Sequence, residues 1–130
     1  MTITRHRVAM VDVDLVQVNF AAFFRWMDIS YQELLVELGH PLSAILSSGY
    51  ATPVVKAECN YMAPVTLNDE IEVTAEVAKV GNSSYSVVHR FNSHRKLIAE
   101  AEVRHVWVSI GPPQVAVPVP DWLRSCSRKS

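Results

Sequence analysis

Glycine is scarce in this 130-residue chain, with four in all. No glycine-rich phosphate loop is formed, and neither a Gly-x-Ser-x-Gly elbow nor a Ser-His-Asp order occurs. Nucleotide hydrolysis and serine-nucleophile chemistry therefore lack their usual sequence basis. There are two cysteines, Cys59 and Cys126, which is no disulfide framework. A reducing, cytoplasmic setting is expected. An excess of charge is also missing: 12 basic against 13 acidic residues leave a net charge of −1. Neither nucleic acid nor an anionic membrane is expected as the main partner. No apolar run approaches the length that spans a bilayer. The opening Met-Thr-Ile-Thr-Arg-His-Arg has no apolar core of a signal peptide, which argues against secretion. The five histidines, His6, His40, His89, His94 and His105, show no metal-ligand spacing, so no metal is expected.

What the chain has is apolar content. Apolar residues make up 49% and charged residues 19%, enough for one domain over 1–130 with a sizeable core. The organising stretch is 12–38. Asp12 and Asp14 close an apolar run, and a short loop leads into a helix over Ala21–Leu38, about 27 Å long at 1.5 Å per residue. Phe24, Met27, Tyr31, Leu34 or Leu35, and Leu38 recur at helical spacing. Gly39 and Pro41 stand where a helix ends. Phe23, Phe24, Trp26, Met27 and Ile29 spread over more than one face, so the helix must be covered, and a curved sheet is the economical cover. Phe24 and Trp26 are expected in the core. Asp14 lies six residues before the helix, whose first N–H groups are unpaired and carry partial positive charge.

The remainder reads as strands. Residues 3–11 form a first one. His40–Gly49 connects, with a short helical turn at Ser43–Leu46. In Thr52–Met62, Val55, Ala57, Cys59 and Tyr61 alternate with polar residues. In Glu70–Val80, Ile71, Val73, Ala75 and Val77 alternate with Glu70, Glu72, Thr74 and Glu76. Gly81-Asn82 signals a hairpin. Ser84–Phe91 follows, with Tyr85, Val87, His89 and Phe91 on one face. A turn over Asn92–Lys96 leads to a long strand over Leu97–Ile110. A short helix is expected at Asp121–Ser125. One strand, one helix and four strands joined by short turns predict an α+β domain with an antiparallel sheet.

Several local motifs resemble the hotdog fold, in particular the 4-hydroxybenzoyl-CoA thioesterase-like branch. Its members carry Asp-x-Asp-x-x-Gly-His-Val-Asn-x-x-x-Tyr before an Arg-Trp-like helix segment. The corresponding run here is Asp12-Val13-Asp14-Leu15-Val16-Gln17-Val18-Asn19-Phe20-Ala21-Ala22-Phe23-Phe24-Arg25-Trp26. Asn60-Tyr61-Met62-Ala63-Pro64-Val65 resembles the family's Tyr-x-x-Pro turn. Asn68-Asp69-Glu70-Ile71-Glu72-Val73 resembles its Gly-Asp-x-Leu-x-Val. Gly81-Asn82-Ser83-Ser84-Tyr85 resembles its hairpin, and Ala99-Glu100-Ala101 with Val106-Trp107-Val108 its last strand. Two departures stand out: a single Gln17 replaces the family's Gly-His pair, and Phe23 replaces a Tyr.

The resemblance implies an antiparallel sheet wrapped around one long central helix. It also implies a homodimer joining two sheets edge to edge, or a tetramer of such dimers, with active sites at the subunit boundary. The implied activity is hydrolysis of an acyl or aryl thioester of coenzyme A or of an acyl-carrier protein. Asp14 would be the catalytic carboxylate, as nucleophile or as general base, and the Phe20 backbone N–H would hold the oxyanion. Gln17, Asn19, Phe23 and Tyr61 would contact the acyl thioester. Thr52, Ser83 and Ser84 match positions near the pantetheine or nucleotide channel. No separate cofactor is implied, because pantetheine belongs to the substrate. At the hairpin, where relatives place basic residues for the CoA phosphates, only Lys79 is near. Arg25, Lys56 and Arg90 read as surface charges, and Asp12 as a residue bonding loop backbone. Three alternatives are a non-catalytic acyl-thioester-binding protein, a hydratase or dehydratase using a His with an acid, and a structural oligomer.

Overall fold

The computed structural model describes residues 1–14, 17–18 and 20–126, the side chains of 14, 17 and 18 excepted. Its elements begin with strand β1 (Thr2–Arg7) and a 3-10 turn over Met10–Asp12. Two-residue strands β2 (Val13–Asp14) and β3 (Gln17–Val18) follow, and then helix α1 (Phe20–Glu37) and helix α2 (Leu42–Ser47). Next come β4 (Tyr50–Ala51), β5 (Val54–Tyr61), β6 (Glu70–Val80), β7 (Ser84–Ser93) and β8 (Lys96–Val106). The last elements are β9 (Val108–Ser109), β10 (Val115–Ala116) and helix α3 (Asp121–Arg124).

The main sheet is antiparallel, in the order β1-β6-β7-β8-β5. Helix α1 packs along one face of it. This is the hotdog arrangement that the resemblance implied.

The alternation in Glu70–Val80 becomes geometry directly. Ile71, Val73, Ala75 and Val77 are buried under α1, while the intervening residues stay partly exposed. On β7, Tyr85, Val87, His89 and Phe91 are all buried. From the helix, Ala22, Phe23, Trp26, Met27, Tyr31, Leu34 and Leu35 meet this face. The helix ends because Gly39 adopts φ +86°, which glycine reaches without a Cβ clash. There the His40 N–H donates to the Leu35 carbonyl at 2.9 Å and the Gly39 N–H to Val36 at 3.0 Å, the bond pair of a Schellman end.

Four expectations are corrected. The first strand stops at Arg7 instead of Val11, because Asp12 folds back and its Oδ2 accepts the Ala9 N–H at 2.9 Å, closing a 3-10 turn. The long final strand breaks after Val106. The Trp107 N–H there leaves the ladder to donate to the Ser83 carbonyl at 2.7 Å. Phe24 is 37% exposed, whereas Phe23 and Trp26 fill the core; the rest of its stripe, Met27, Tyr31, Leu34 and Leu35, is buried as expected. Finally, the alternating apolar face of Thr52–Met62 is not buried within the chain. β5 is the sheet's edge, and Val54 and Val55 are more than half exposed.

Candidate functional site

The start of α1 and the end of β5 form the walls of a cavity of about 500 Å³. Phe20 and Phe23 line it from the helix, and Tyr61 through Val65 from the strand and the turn after it. Phe23 is anchored by three edge-on aromatic contacts, to Trp26 (5.3 Å), Tyr61 (4.9 Å) and Phe91 (5.2 Å). That wall is therefore rigid core, whereas Phe20 is 70% exposed and overhangs the opening. Tyr61 is half-exposed. Burial of its hydroxyl, with the adjacent Cys59 thiol, pushes its pKa up to about 12, so it stays a neutral hydrogen-bonding phenol.

The approach to the helix is held from below. Asp12 is buried and binds both the Ala9 N–H and the Arg25 guanidinium. The loop acid thus ties the entering chain to the second turn of α1, the backbone-bonding role expected of it. One residue beyond Val13, Asp14 sits in the β2–β3 ladder, its backbone opposite Gln17. The side chains of Asp14 and Gln17, and all of Asn19, lie outside the described residues.

The other named positions fall elsewhere. The Thr52 hydroxyl accepts a hydrogen bond from Tyr31 at 2.9 Å, and the Tyr31 hydroxyl also bonds that of Tyr85. This buried trio lies under the middle of α1, three turns from Phe20. Ser83 and Ser84 are partly buried at the β6–β7 hairpin, where Ser84 closes the turn by accepting the Gly81 N–H at 2.7 Å. Within one chain neither serine lines the Phe20 cavity. Arg25 is committed to Asp12, Arg90 to Glu76 and Glu100, and Lys56 to Glu58.

A second, smaller cavity of about 110 Å³ lies further along α1. Phe24, Met27, Asp28 and Tyr31 line it from the helix, Val54 and Ala57 from the edge strand, and His89, Val103 and His105 from the sheet. Both histidines are almost fully buried. Burial, and then the neighbouring His105, lowers the His89 pKa to about 4. His105 is likewise held below its ordinary value by burial, against smaller opposing effects of the Thr52 carbonyl and Asp28. The alternation of Ser84–Phe91 puts His89 on one strand face but does not by itself show its meeting with His105. The signal for His105 was the inward alternation of the last strand, Ala99, Ala101, Val103, continued by one step to His105, which pairs across the ladder with Tyr85.

Among the described residues, no group of three or more His, Cys, Asp or Glu is disposed to hold a metal ion. Nor is any helix of those residues long and apolar enough to cross a membrane.

Residues 8–126 match the family model of the thioesterase-like superfamily. The chain belongs to that superfamily. Among curated relatives, a 1,4-dihydroxy-2-naphthoyl-CoA hydrolase of Prochlorococcus marinus (strain NATL2A) is 30% identical over 103 residues, covering 73% of this chain and 65% of the relative. The chain thus matches slightly less than two thirds of that protein's length. Among solved structures, a gentisyl-coenzyme A thioesterase is 25% identical, with a TM-score of 0.86 over 96% of this chain and 98% of its own. A 4-hydroxybenzoyl CoA thioesterase variant in complex with 4-hydroxybenzoyl CoA shares the fold, with a TM-score of 0.86, 18% identity and coverage of 97% and 98%. The superfamily's hotdog core therefore extends over nearly the whole of this thioesterase-like chain.

Proposed function

We propose that the protein hydrolyses an acyl or aryl thioester of coenzyme A in the groove between α1 and β5. The observation that carries this reading is the cavity of about 500 Å³ at the start of a sheet-covered helix, six residues after Asp14. An acyl group placed against Phe23 and Tyr61 brings its carbonyl to the first N–H groups of α1. Those groups lack intrahelical partners, and the Phe20 N–H stabilises the oxyanion as negative charge develops there. Asp14 supplies the attack, either by removing a proton from water or by adding to the carbonyl to give an anhydride that water then opens. The C–S bond breaks and the thiolate leaves, a good leaving group that needs little help. The chemistry calls for no metal or redox group, and pantetheine arrives with the substrate.

In this reading a second copy completes the groove. β5 is an unpaired sheet edge with a row of exposed apolar side chains, Val54, Val55, Tyr61 and Met62. Such an edge is covered in a folded assembly. Pairing two β5 strands gives the homodimer and sets the partner beside the mouth of the cavity. Ser83, Ser84 and Lys79 act in the coenzyme channel of that assembly.

The test is free-thiol release over short, long and aromatic acyl-CoAs, with the same acyl groups on an acyl-carrier protein as a second arm. The wild type releases thiol from coenzyme A esters, and Asp14→Asn lowers the rate about a hundredfold or more while the fold is retained. An unchanged rate in Asp14→Asn refutes the assignment of the carboxylate. Tight binding without release by the wild type would make the protein an acyl-thioester-binding module instead.

A further inference from the structure

We propose that Arg25 is a positioning residue for the reaction: through Asp12 it fixes the segment that carries Asp14 against the start of α1, and it offsets the charge of Asp12 beside that segment. The inference rests on the reading of Asp14 as the attacking carboxylate and of the α1 start as the oxyanion site.

The two partners bracket the chemistry in the chain. Asp14 and the Phe20 N–H belong to the segment from Val13 to Phe20. Asp12 directly precedes that segment, and Arg25 stands on the second turn of the helix that follows it. Asp12 is 3% exposed. One of its oxygens accepts the Ala9 N–H at 2.9 Å, and the other accepts a guanidinium N–H of Arg25. A single buried carboxylate thus joins the chain entering the segment to the helix leaving it. Neighbouring contacts stiffen the helix side of the joint. Trp26 is 1% exposed and takes the His6 ring of β1 in a stack at 5.9 Å. Between the two ends the backbone closes on itself, with Val13 opposite Val18 and Asp14 opposite Gln17. A short hairpin tied at both ends has little room to shift. That matters for catalysis, because attack needs the reacting atoms about 3–3.5 Å apart and a misplacement of about 1 Å costs roughly a hundredfold.

Charge gives the pair a second effect. Two residues apart, the Cα atoms of Asp12 and Asp14 are separated by at most about 7 Å. An uncompensated carboxylate at that distance disfavours a second negative charge, and the attacking group must be ionised. The guanidinium bonded to Asp12 cancels most of that field. Its influence registers on His6, whose pKa is lowered by burial first and by Arg25 second, with Asp12 opposing. The groups that meet Asp12 are therefore Arg25 from α1 and His6 from β1. His6 is neutral at physiological pH, so there the compensation falls to Arg25.

The test uses Arg25→Gln, Asp12→Asn and the double variant, with free-thiol release from the acyl-CoA that the wild type cleaves fastest. Arg25→Gln lowers kcat about 10- to 100-fold and changes KM by less than about threefold. The double variant loses no more than the worse single one, because the two side chains act as a unit. The acid limb of kcat/KM moves in opposite directions. It rises by about 0.5 to 1.5 pH units in Arg25→Gln, which leaves the Asp12 charge uncompensated, and falls in Asp12→Asn, which leaves Arg25 uncompensated. A brace that served stability alone would not produce that pair of signs. Arg25→Lys keeps the charge without the planar fork, so it restores the limb and only part of kcat. It also carries the comparison with Asp12→Asn if Arg25→Gln does not fold. An unchanged kcat in folded Arg25→Gln, additive losses in the double variant, or limbs that move together overturn the proposal. If the wild type cleaves no thioester, or Asp14→Asn is as fast as the wild type, the hydrolase reading fails separately. The 13C titration of the Asp14 carboxyl then decides the role of the pair without turnover: displacements of opposite sign in the two single variants support it, and a common or absent displacement overturns it.

Discussion

Acidification should destabilise this protein well before its carboxylates titrate, and the reason is His89. The side chain is 1% exposed, between α1 and the last long strand, where it faces Ala101. Burial first, and the nearby His105 second, lower its pKa from 6.5 to about 4 in the folded state. Between those values the unfolded chain binds a proton that the folded chain refuses. Stability is thus fully present above pH 6.5 and is lost as pH falls toward 4. At about 1.4 kcal/mol per pH unit, the gap amounts to roughly 3 kcal/mol between pH 7 and pH 4. His105 is shifted in the same direction and adds to the loss. Asp69 has a lowered carboxyl pKa, chiefly through the Thr66 N–H, but it acts below 3.8 and leaves the window clear. The assay is urea denaturation at fixed protein concentration, because self-association would shift the midpoint. With a slope near 1.5 kcal/mol per molar, the midpoint falls by about 2 M from pH 7 to pH 4. His89→Leu, which removes the titrating group, flattens that dependence. A wild-type midpoint that stays level down to pH 4.5, or an undiminished slope in His89→Leu, refutes the reasoning.

Other perturbations have outcomes fixed by the same structure. Phe23→Ala empties the junction of Trp26, Tyr61 and Phe91 and should cost about 3–5 kcal/mol in chemical denaturation, and it should also weaken binding of aromatic thioesters. Asp12→Ala strands the Ala9 N–H and releases Arg25. A loss of about 1–3 kcal/mol is expected, and hydrogen exchange at Ala9 and through the first turn of α1 should quicken. Val55→Lys places a charge on the open edge of the sheet. If β5 joins two copies, sedimentation will show the variant shifted from dimer toward monomer, and an unchanged dimer would move the interface elsewhere.

Several elements were legible because their signal is local. The strict alternation of Glu70–Val80 fixed both the extent of β6 and its inward face, since a strand with one buried side has a period of two. The helix end at Gly39 was equally plain, because few residues other than glycine adopt φ +86° at low cost. Asp12 was assigned correctly to loop backbone, a partnership made within three residues. Signals that depend on distant partners misled. Phe24 has the right spacing for the core, yet the sheet meets α1 along Phe23 and Trp26. The apolar alternation of β5 has no cover within the chain, because that strand is the sheet's edge.

The sequence by itself determined the order of elements, the periodicity of β6 and β7, the stop of α1 and the motifs of the thioesterase-like superfamily, all written over short spans. Only the tertiary structure decided that Thr52 is occupied by Tyr31, and that His89 and His105, sixteen residues apart in sequence, share one cavity under the helix. Such contacts are made by strand register and by packing across the sheet, and neither leaves a mark in the spacing of residues along a single strand.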